Sequence, residues 1–297
     1  MTIVLAGGSG FLGRKLAKRL EQEGHKTITL TRRPSGAPNQ IGWRPDGTAG
    51  DLAPHLDGVD AVVNLAGEGI ADKRWTEARK RALRDSRILS TRTLVRAIRE
   101  CATPPRVLVS GSGIGYYGPH GDEPVTEATP PGTDFLARLC VEWEEEARAA
   151  ESPSTRVAIV RTGLALDGDG GALKKMLLPF KLGAGATIAS GNQYMPWIHA
   201  SDWTAMVAWL IHNNDARGAF NASAPEPVTN REFTRTLARV LHRPAVFQAP
   251  AFVLRAALGE LATALIDGQR VLPGRAGQLG FRFSYPSLQP ALESMHL

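Results

Sequence analysis

A glycine-rich segment near the start of the chain has the spacing of a phosphate-binding turn. It reads Gly-Gly-Ser-Gly-Phe-Leu-Gly and lies between an apolar, partly β-branched run, Thr2–Ala6, and a segment with helical periodicity. Gly7 permits a tight turn, Gly10 lets the backbone approach a pyrophosphate, and Gly13 lets the helix pack closely on the strand. Unpaired N–H groups at the start of that helix would face the phosphate charge. The cofactor contacts that this turn predicts are Gly7, Ser9, Gly10, Phe11, Leu12 and Gly13.

The end of the second predicted strand indicates which dinucleotide is bound. The strand over 25–31 runs into Thr31-Arg32-Arg33-Pro34, which contains no acidic residue. An NAD site usually places Asp or Glu here to bind the ribose hydroxyls, whereas a guanidinium pairs with a 2′-phosphate. NADP(H) is therefore favoured over NAD(H), with Thr31, Arg32 and Arg33 as predicted contacts. The alternative is that one of these arginines simply lies on the surface.

Two further strand ends are predicted at the same edge of the sheet. Asn64-Leu65-Ala66-Gly67 ends the buried strand over 59–65, and its backbone is expected beside the cofactor ribose. A plain strand-terminating turn is the alternative for this segment. Ser110 ends the strand over 106–110 and joins Leu65, Ala66 and Gly67 among the predicted cofactor contacts.

The order of elements predicts how these segments are positioned. Short apolar strands alternate with helical patterns at 11–23, 77–100 and 134–150, which predicts an α/β fold with a Rossmann-type, doubly wound parallel sheet. After residue 162 the chain turns to Gly-rich stretches and short helices, which indicates a smaller C-terminal α/β lobe. The predicted nucleotide-binding domain covers 1–164 and continues over 200–222. The predicted smaller lobe covers 165–199 and 223–297.

Composition limits the classes of protein that fit. The chain has 297 residues, 43% of them hydrophobic, and a net charge of +6. Its basic residues are scattered along helical patterns with acidic neighbours, so we expect no nucleic-acid partner. No apolar run approaches the roughly 18 residues of a membrane span, and no presequence pattern is visible. Two cysteines without metal-ligand spacing favour a soluble, cytoplasmic protein without a metal site. Monomer and homodimer both remain open.

Further segments along the chain resemble one known family. They are Asn64-Leu-Ala-Gly-Glu68, Ala71-Asp-Lys-Arg-Trp75, Ser86-Arg87 with Thr91, Gly115-Tyr-Tyr-Gly118, Phe135-Leu-Ala with Trp143-Glu144, Pro196-Trp-Ile-His199, Gln269-Arg-Val-Leu-Pro273 and Gly280-Phe-Arg-Phe283. On these segments the chain resembles an atypical extended short-chain dehydrogenase/reductase of the "epimerase family protein" group. The resemblance implies a Rossmann core, a small C-terminal domain and a bound NADP. It also implies cofactor contacts at Thr31, Arg32, Leu65, Ala66 and Arg87.

The catalytic pattern of that superfamily is broken here. Most short-chain dehydrogenases use Ser, Tyr and Lys, with the Tyr four residues before the Lys on one helix face, where the Tyr hydroxyl transfers the proton. No tyrosine of this chain is followed four residues later by lysine. The helix that should carry the pair has Phe135 and Leu139 at those positions. Phenylalanine has no proton to transfer, so the usual triad is absent.

Four other side chains are candidates for the missing chemistry. Ser112 lies where the substrate-orienting serine is expected, and Tyr116 or Tyr117 could supply a phenol from the same loop. His199 has a side chain that titrates in the useful range. Each also has an ordinary structural alternative, because Ser suits turns, Tyr packs, and a single His before a helix often has no catalytic role.

Two functions are therefore carried forward. The first is an NADP-dependent oxidoreductase or epimerase that acts on a small carbonyl or alcohol substrate with a rearranged proton-transfer group. The second is a non-catalytic NADP(H)-binding redox sensor that presents a surface to a partner. Sugar-nucleotide epimerisation with tightly held NAD is weakened by Arg32 and by the missing tyrosine.

Overall fold

Short apolar segments form the strands, because β-branched and large aliphatic side chains suit a sheet that is buried on both faces. A computed structural model describes residues 1–297. The strands are β1 (Thr2–Ala6), β2 (Lys26–Thr31), β3 (Gln40–Gly42), β4 (Ala61–Asn64), β5 (Val107–Gly113), β6 (Pro124–Val125), β7 (Arg156–Thr162), β8 (Leu164–Leu166), β9 (Ala186–Ile188), β10 (Tyr194–Met195), β11 (Trp197–His199), β12 (Gly218–Ala222), β13 (Val228–Thr229), β14 (Phe247–Ala249) and β15 (Arg270–Val271).

Helices connect most of these strands, and several begin at capping side chains that the sequence supplies. Thr76 and Asp134 each accept a bond from a backbone N–H of the first turn, and Thr229 forms a capping box with Glu232. The helices are α1 (Phe11–Gln22), α2 (Ala53–Leu56), α3 (Glu77–Glu100), α4 (Phe135–Arg148), α5 (Gly171–Lys181), α6 (Ala200–His212), α7 (Asn230–Val240), α8 (Ala251–Leu258), α9 (Thr263–Ile266), α10 (Gly274–Gln278) and α11 (Leu288–Glu293).

Seven strands form one parallel sheet in the order β12-β7-β5-β4-β1-β2-β3. The order reverses between β1 and β4, because the chain runs outward to β3 on one side and then returns past β1 to build the other side. A crevice for a ligand is expected at the carboxyl ends of the strands at this reversal. The predicted Rossmann-type, doubly wound α/β fold is confirmed.

Apolar clusters cover both faces of the sheet. On one face α1 and α6 pack on alternate residues of the strands, with Leu16 and Met206 fully buried. On the other face α2, α3 and α4 pack on the intervening strand residues, with Leu94 and Ala147 fully buried. Because both faces are covered, ligands can reach the sheet only along its ends.

A third apolar cluster forms the core of the C-terminal lobe around Trp197, Phe233 and Leu237. The segment over 251–266 does not form one helix, because Gly259 adopts φ = 62° and separates α8 from a 3₁₀ turn and α9. Because β12 pairs with β7 in the main sheet, we propose the predicted division into 1–164 with 200–222, and 165–199 with 223–297.

Candidate functional site

The turn after β1 makes the close backbone contacts that only glycine permits. Gly7 has φ = 81°, and a Cβ atom there would lie 2.6 Å from the carbonyl carbon of Leu65. A Cβ atom on Gly13 would lie 2.3 Å from the carbonyl oxygen of Gly7. Gly10 precedes α1 in an extended conformation, and no side chain caps the helix. The first N–H groups of α1 are therefore left to bind an anion.

The remaining residues predicted on this turn are Ser9, Phe11 and Leu12. Ser9 is exposed, whereas Phe11 and Leu12 are half-buried. The ring of Phe11 lies against Gly170, where an added Cβ would be 2.4 Å from the ring. The loop before α5 therefore reaches the dinucleotide turn directly.

The end of β2 contributes two exposed arginines. The Thr31 hydroxyl accepts a bond from the backbone N–H of Arg33 at 3.2 Å. Arg32 lines a pocket of about 550 Å³, with Trp43 and Arg44 from the segment after β3. Arg33 is exposed and is not part of that lining. The structure thus places two guanidinium groups, Arg32 and Arg44, around one pocket at the β2–β3 side of the turn.

The end of β4 is held in place by buried polar contacts. The amide of Asn64 donates to the Thr91 hydroxyl at 2.8 Å and accepts from the backbone N–H of Ala66 at 3.1 Å. Ser110 pairs with Asn64 in the neighbouring strand, and its side chain is fully buried. Leu65 is half-buried beside the turn after β1.

Arg87 is a buried cation beneath this segment. Its guanidinium donates to the carbonyl oxygens of Leu83 and Glu68, both at 2.9 Å, and no carboxylate pairs with it. Burial lowers its pKa from the usual arginine value. A Cβ on Gly67 would lie 3.2 Å from the Arg87 side chain, so Gly67 allows a close approach of the backbone to the guanidinium. A buried cation without a carboxylate favours binding of an anion nearby.

These segments together fit a dinucleotide. The backbone turn fits a pyrophosphate, the β2–β3 side supplies positive charge, and the ends of β4 and β5 continue the same edge on the other side. The observation that supports this fit is the glycine cradle, the turn from Gly7 to Gly13, whose close contacts leave no space for a side chain at Gly7 or Gly13.

A second cavity of about 400 Å³, here called the covered pocket, lies between the carboxyl ends of β5 and β7 and the C-terminal lobe. Phe135, the first residue of α4, lies in its wall, with its ring edge-to-face to Trp75 at 5.3 Å. The structure therefore places phenylalanine, and no tyrosine, at this point of the pocket. The lining residues used below are Gly113, Ile114, Asp134, Phe135, Leu136, Thr162, Tyr194, Met195, Glu260, Leu265, Asp267 and Gln269.

Ser112 lies in a buried ionic cluster and does not line the covered pocket. Its hydroxyl donates to the carboxylate of Glu144 at 2.8 Å, and the guanidinium of Arg161 binds the same carboxylate at 2.7 and 2.9 Å. Successive strand residues face opposite sides, so the next residue, Gly113, lines the pocket instead. This position argues against Ser112 as the group that orients a substrate.

The two loop tyrosines belong to the same cluster. Tyr117 is fully buried, donates to the Asn221 side chain at 2.6 Å and accepts from Arg161 at 2.9 Å. Burial raises the pKa of Tyr117 to about 12. The ring of Tyr116 lies over the Arg161 guanidinium, 3.4 Å from the ring centroid. Neither tyrosine lines the covered pocket, so their positions argue for packing and charge burial.

His199 precedes α6 and caps it. Its Nδ1 accepts from the backbone N–H of Ser201 at 3.1 Å, and its ring stacks on Tyr285 at 4.1 Å. Burial lowers the pKa of His199, which favours the neutral imidazole. It does not line the covered pocket, and its contacts are those of a helix cap.

Sequence reasoning missed three residues of the site. Arg44 and Trp43 follow the three-residue strand β3, which has no clear pattern of its own. Tyr194 was visible only as a tyrosine without a lysine partner, yet it is the tyrosine that lines the covered pocket. One signal could have pointed to Arg44: it follows a short strand, β3, that pairs with β2, whose end carries Arg32.

The structure contains neither a membrane-spanning helix nor a group of metal ligands. No helix combines the length and the apolar character needed to cross a membrane. No group of three or more His, Cys, Asp or Glu side chains is arranged to hold a metal ion.

A glycine turn at the topological reversal, with a covered pocket beside it, defines a dinucleotide-binding Rossmann protein. The chain belongs to the NAD dependent epimerase/dehydratase family, which it matches over residues 3–223. Residues 249–295 match a domain of unknown function (DUF1731). The predicted membership in the epimerase group is therefore confirmed.

Relatives align over the whole chain. The epimerase family protein Mb2239 of Mycobacterium bovis is 39% identical over 98% of this chain and 96% of its own length. The epimerase family protein SDR39U1 of Homo sapiens is 37% identical over 99% of both chains. A crystal structure of human SDR39U1 (isoform 2) with NADPH superposes with a TM-score of 0.93 and 36% identity, covering 99% of both chains. A UDP-N-acetylglucosamine 4-epimerase from Bacillus cereus, at 20% identity and a TM-score of 0.77, shares the fold alone.

Proposed function

We propose that the protein is an NADP(H)-dependent oxidoreductase that acts on a small carbonyl compound or alcohol. The observation that carries this proposal is the covered pocket, which meets the ends of β5 and β7 on the side of the reversal away from Arg32. A dinucleotide laid along the sheet edge from Arg32 would direct its nicotinamide end toward that pocket. The human relative crystallised with NADPH supports the choice of cofactor.

The chain's own residues divide the work of holding the cofactor. We assign the pyrophosphate to the backbone of the turn from Gly7 to Gly13 and the 2′-phosphate to Thr31, Arg32 and Arg44. The nicotinamide half is assigned to the ends of β4 and β5, with contacts at Leu65, Ala66, Gly67, Arg87 and Ser110. When bound, NADPH supplies a hydride for a carbonyl carbon.

Tyr194 is our candidate for the acid that donates a proton to the substrate oxygen. It is half-buried in the wall of the covered pocket, whereas the other three tyrosines do not line it. A positioned acid typically contributes 100-fold or more to a proton-transfer step. Thr162, also in the wall, accepts from the indole N–H of Trp203 at 3.0 Å and donates to the carbonyl oxygen of Val160 at 3.4 Å, so its hydroxyl is engaged within the protein.

Turnover of the Tyr194→Phe variant tests this assignment. We expect kcat for aldehyde reduction, followed by NADPH absorbance, to fall about 100-fold, while NADPH affinity stays unchanged. Tyr285→Phe is the matched control, because Tyr285 is half-buried and lies outside the pocket. If both variants keep wild-type kcat, Tyr194 does not transfer the proton.

Arg32→Ala tests the choice of cofactor. Removing a guanidinium from a 2′-phosphate should weaken NADPH binding about tenfold to 100-fold and leave NADH binding unchanged. Titrations of both nucleotides measure this, with the exposed surface residue Arg255→Ala as the control. Equal losses for NADPH and NADH would contradict a phosphate contact. Arg44→Ala should act in the same direction if both arginines bind the phosphate.

A non-catalytic redox sensor is the second candidate, and one observation favours it. Phe135 occupies the pocket wall at the start of α4, where the superfamily pattern has its proton donor. Tight NADPH binding without oxidation of NADPH by any carbonyl compound would select the sensor over the enzyme.

The cysteines bear on the compartment. Cys140 is buried and Cys101 half-buried, and both are free thiols. Free thiols persist in a reducing compartment. We therefore propose the cytoplasm as the location of the protein.

A further inference from the structure

The wall of the covered pocket is mainly apolar. Phe135 and Leu136 from α4 and Ile114 from the loop after β5 form its sheet side. Met195 and Leu265 face them from the lobe. Contact with such a wall is favourable for carbon-rich groups, because it removes apolar surface of the ligand from water.

The charges that line the pocket are all negative. No lysine, arginine or histidine belongs to the lining, whereas Asp134, Glu260 and Asp267 do. Asp134 accepts from the backbone N–H of Ala137 at 2.8 Å and so caps α4. A phosphate or carboxylate placed here would lose water without gaining a cation, and would lie near like charges.

Two cations lie near this wall but outside its lining. The ammonium of Lys80 lies 2.8 Å from Glu77 and 2.8 Å from Glu260. The guanidinium of Arg270 lies over the ring of Tyr194, 5.5 Å from its centroid, and its Nε is buried without a hydrogen-bond partner. Because neither cation belongs to the lining, the charges that a ligand meets inside the pocket are the three carboxylates.

One polar group in the wall lacks a partner. The side-chain oxygen of Gln269 is buried and accepts no hydrogen bond. Buried polar atoms are normally paired, so this oxygen is suited to accept a bond from a ligand hydroxyl. A ligand with one polar end and an apolar body satisfies both Gln269 and the wall.

We propose that the covered pocket takes an uncharged, mainly apolar aldehyde, ketone or alcohol, and that it discriminates against anionic substrates such as sugar nucleotides. This inference rests on the proposed oxidoreductase function and names the substrate class of the same site.

A matched pair of probes tests the charge preference without relying on turnover. 2-Naphthaldehyde and 6-formyl-2-naphthoate share a ring system and a carbonyl group but differ by a carboxylate. Calorimetric titration of the full chain, saturated with NADP⁺ so that no reduction occurs, should show about tenfold or more tighter binding of the neutral probe. UDP-glucose, the third probe, should bind at least as weakly as the naphthoate.

A charge variant places the effect in the pocket. Leu265 lines the pocket and is 41% exposed, so the ammonium in Leu265→Lys can stay in water. This variant should narrow the difference between the probes severalfold by attracting the carboxylate. Leu279→Lys is the control, because Leu279 is 37% exposed and lies outside the pocket. It should leave the difference unchanged.

Four results would overturn the inference. The first two are equal binding of both probes and tight binding of UDP-glucose. The other two are a Kd above about 1 mM for both probes and a difference between the probes that Leu265→Lys leaves unchanged. The proposed function fails in a distinguishable way: naphthaldehyde would bind as expected, but the protein would not oxidise NADPH in its presence.

Discussion

Gly13→Ala is expected to weaken NADPH binding by roughly 100-fold, the upper end of what overpacking a tight contact costs. The added Cβ would lie 2.3 Å from the carbonyl oxygen of Gly7 and 2.7 Å from the Cα of Gly8. Both neighbours are backbone atoms, so α1 must move away from the turn that it caps. Titration of NADPH by its fluorescence measures the loss.

Gly277→Ala is the matched control for this variant. Gly277 also lies inside a helix, α10, and a Cβ there would meet nothing within 4 Å. Its NADPH affinity should equal that of the wild type, and its stability should rise by up to about 1 kcal/mol. Circular dichroism and thermal unfolding establish that Gly13→Ala is folded. A folded Gly13→Ala variant that binds NADPH as the wild type does would show that the helix contact plays no part in the cradle.

Glu144→Ala is expected to lower the free energy of unfolding by about 3–5 kcal/mol, since it leaves a buried cation without its carboxylate. The Glu144 side chain has no exposed area and binds Arg161, Ser112 and Arg148. Arg161 keeps only the Tyr117 hydroxyl as a hydrogen-bond partner once the carboxylate is removed. Urea unfolding measures the change.

Glu142→Ala, on the same helix, is the control for the ionic cluster. Glu142 pairs with Arg84, and both side chains are at least one-third exposed. Solvent screens such a pair, so its loss should cost no more than about 1 kcal/mol. If the two variants lose the same free energy of unfolding, the buried Glu144–Arg161 pair contributes no more to stability than the exposed Glu142–Arg84 pair. Glu144→Gln, which keeps the shape of the side chain, serves if Glu144→Ala does not fold.

Local sequence patterns predicted the glycine turn and the arginines after β2, but not Arg44 after β3. The turn at 7–13 needs glycine because an added Cβ at Gly7 or Gly13 would lie within 2.6 Å of backbone atoms, and this requirement is visible in the residue types alone. The absence of an acidic residue at 31–33, which favours NADP(H), is likewise visible in three adjacent residues. The bounds of β1 and α3 agree with the prediction to the residue, because each has a clear apolar pattern and α3 has a capping threonine.

The catalytic half depended on contacts between distant segments. Ser112, Glu144 and Arg161 are separated by 32 and 17 residues and meet only because β5, α4 and β7 pack together. Arg161 neutralises Glu144 in the core, and the Ser112 hydroxyl is engaged because it donates to the same carboxylate. No pattern in the sequence reports which face of β5 that hydroxyl takes.

The sequence by itself determined the fold, the family resemblance and the type of cofactor turn, since these follow from the order of elements along the chain and from short motifs of adjacent residues. Tertiary structure decided which polar groups are free. It buried Ser112 and Tyr117, used His199 as a helix cap, and placed Tyr194 in the pocket wall. The physical reason is that a side chain's chemistry depends on its solvent and partners, and these come from elements far apart in the chain.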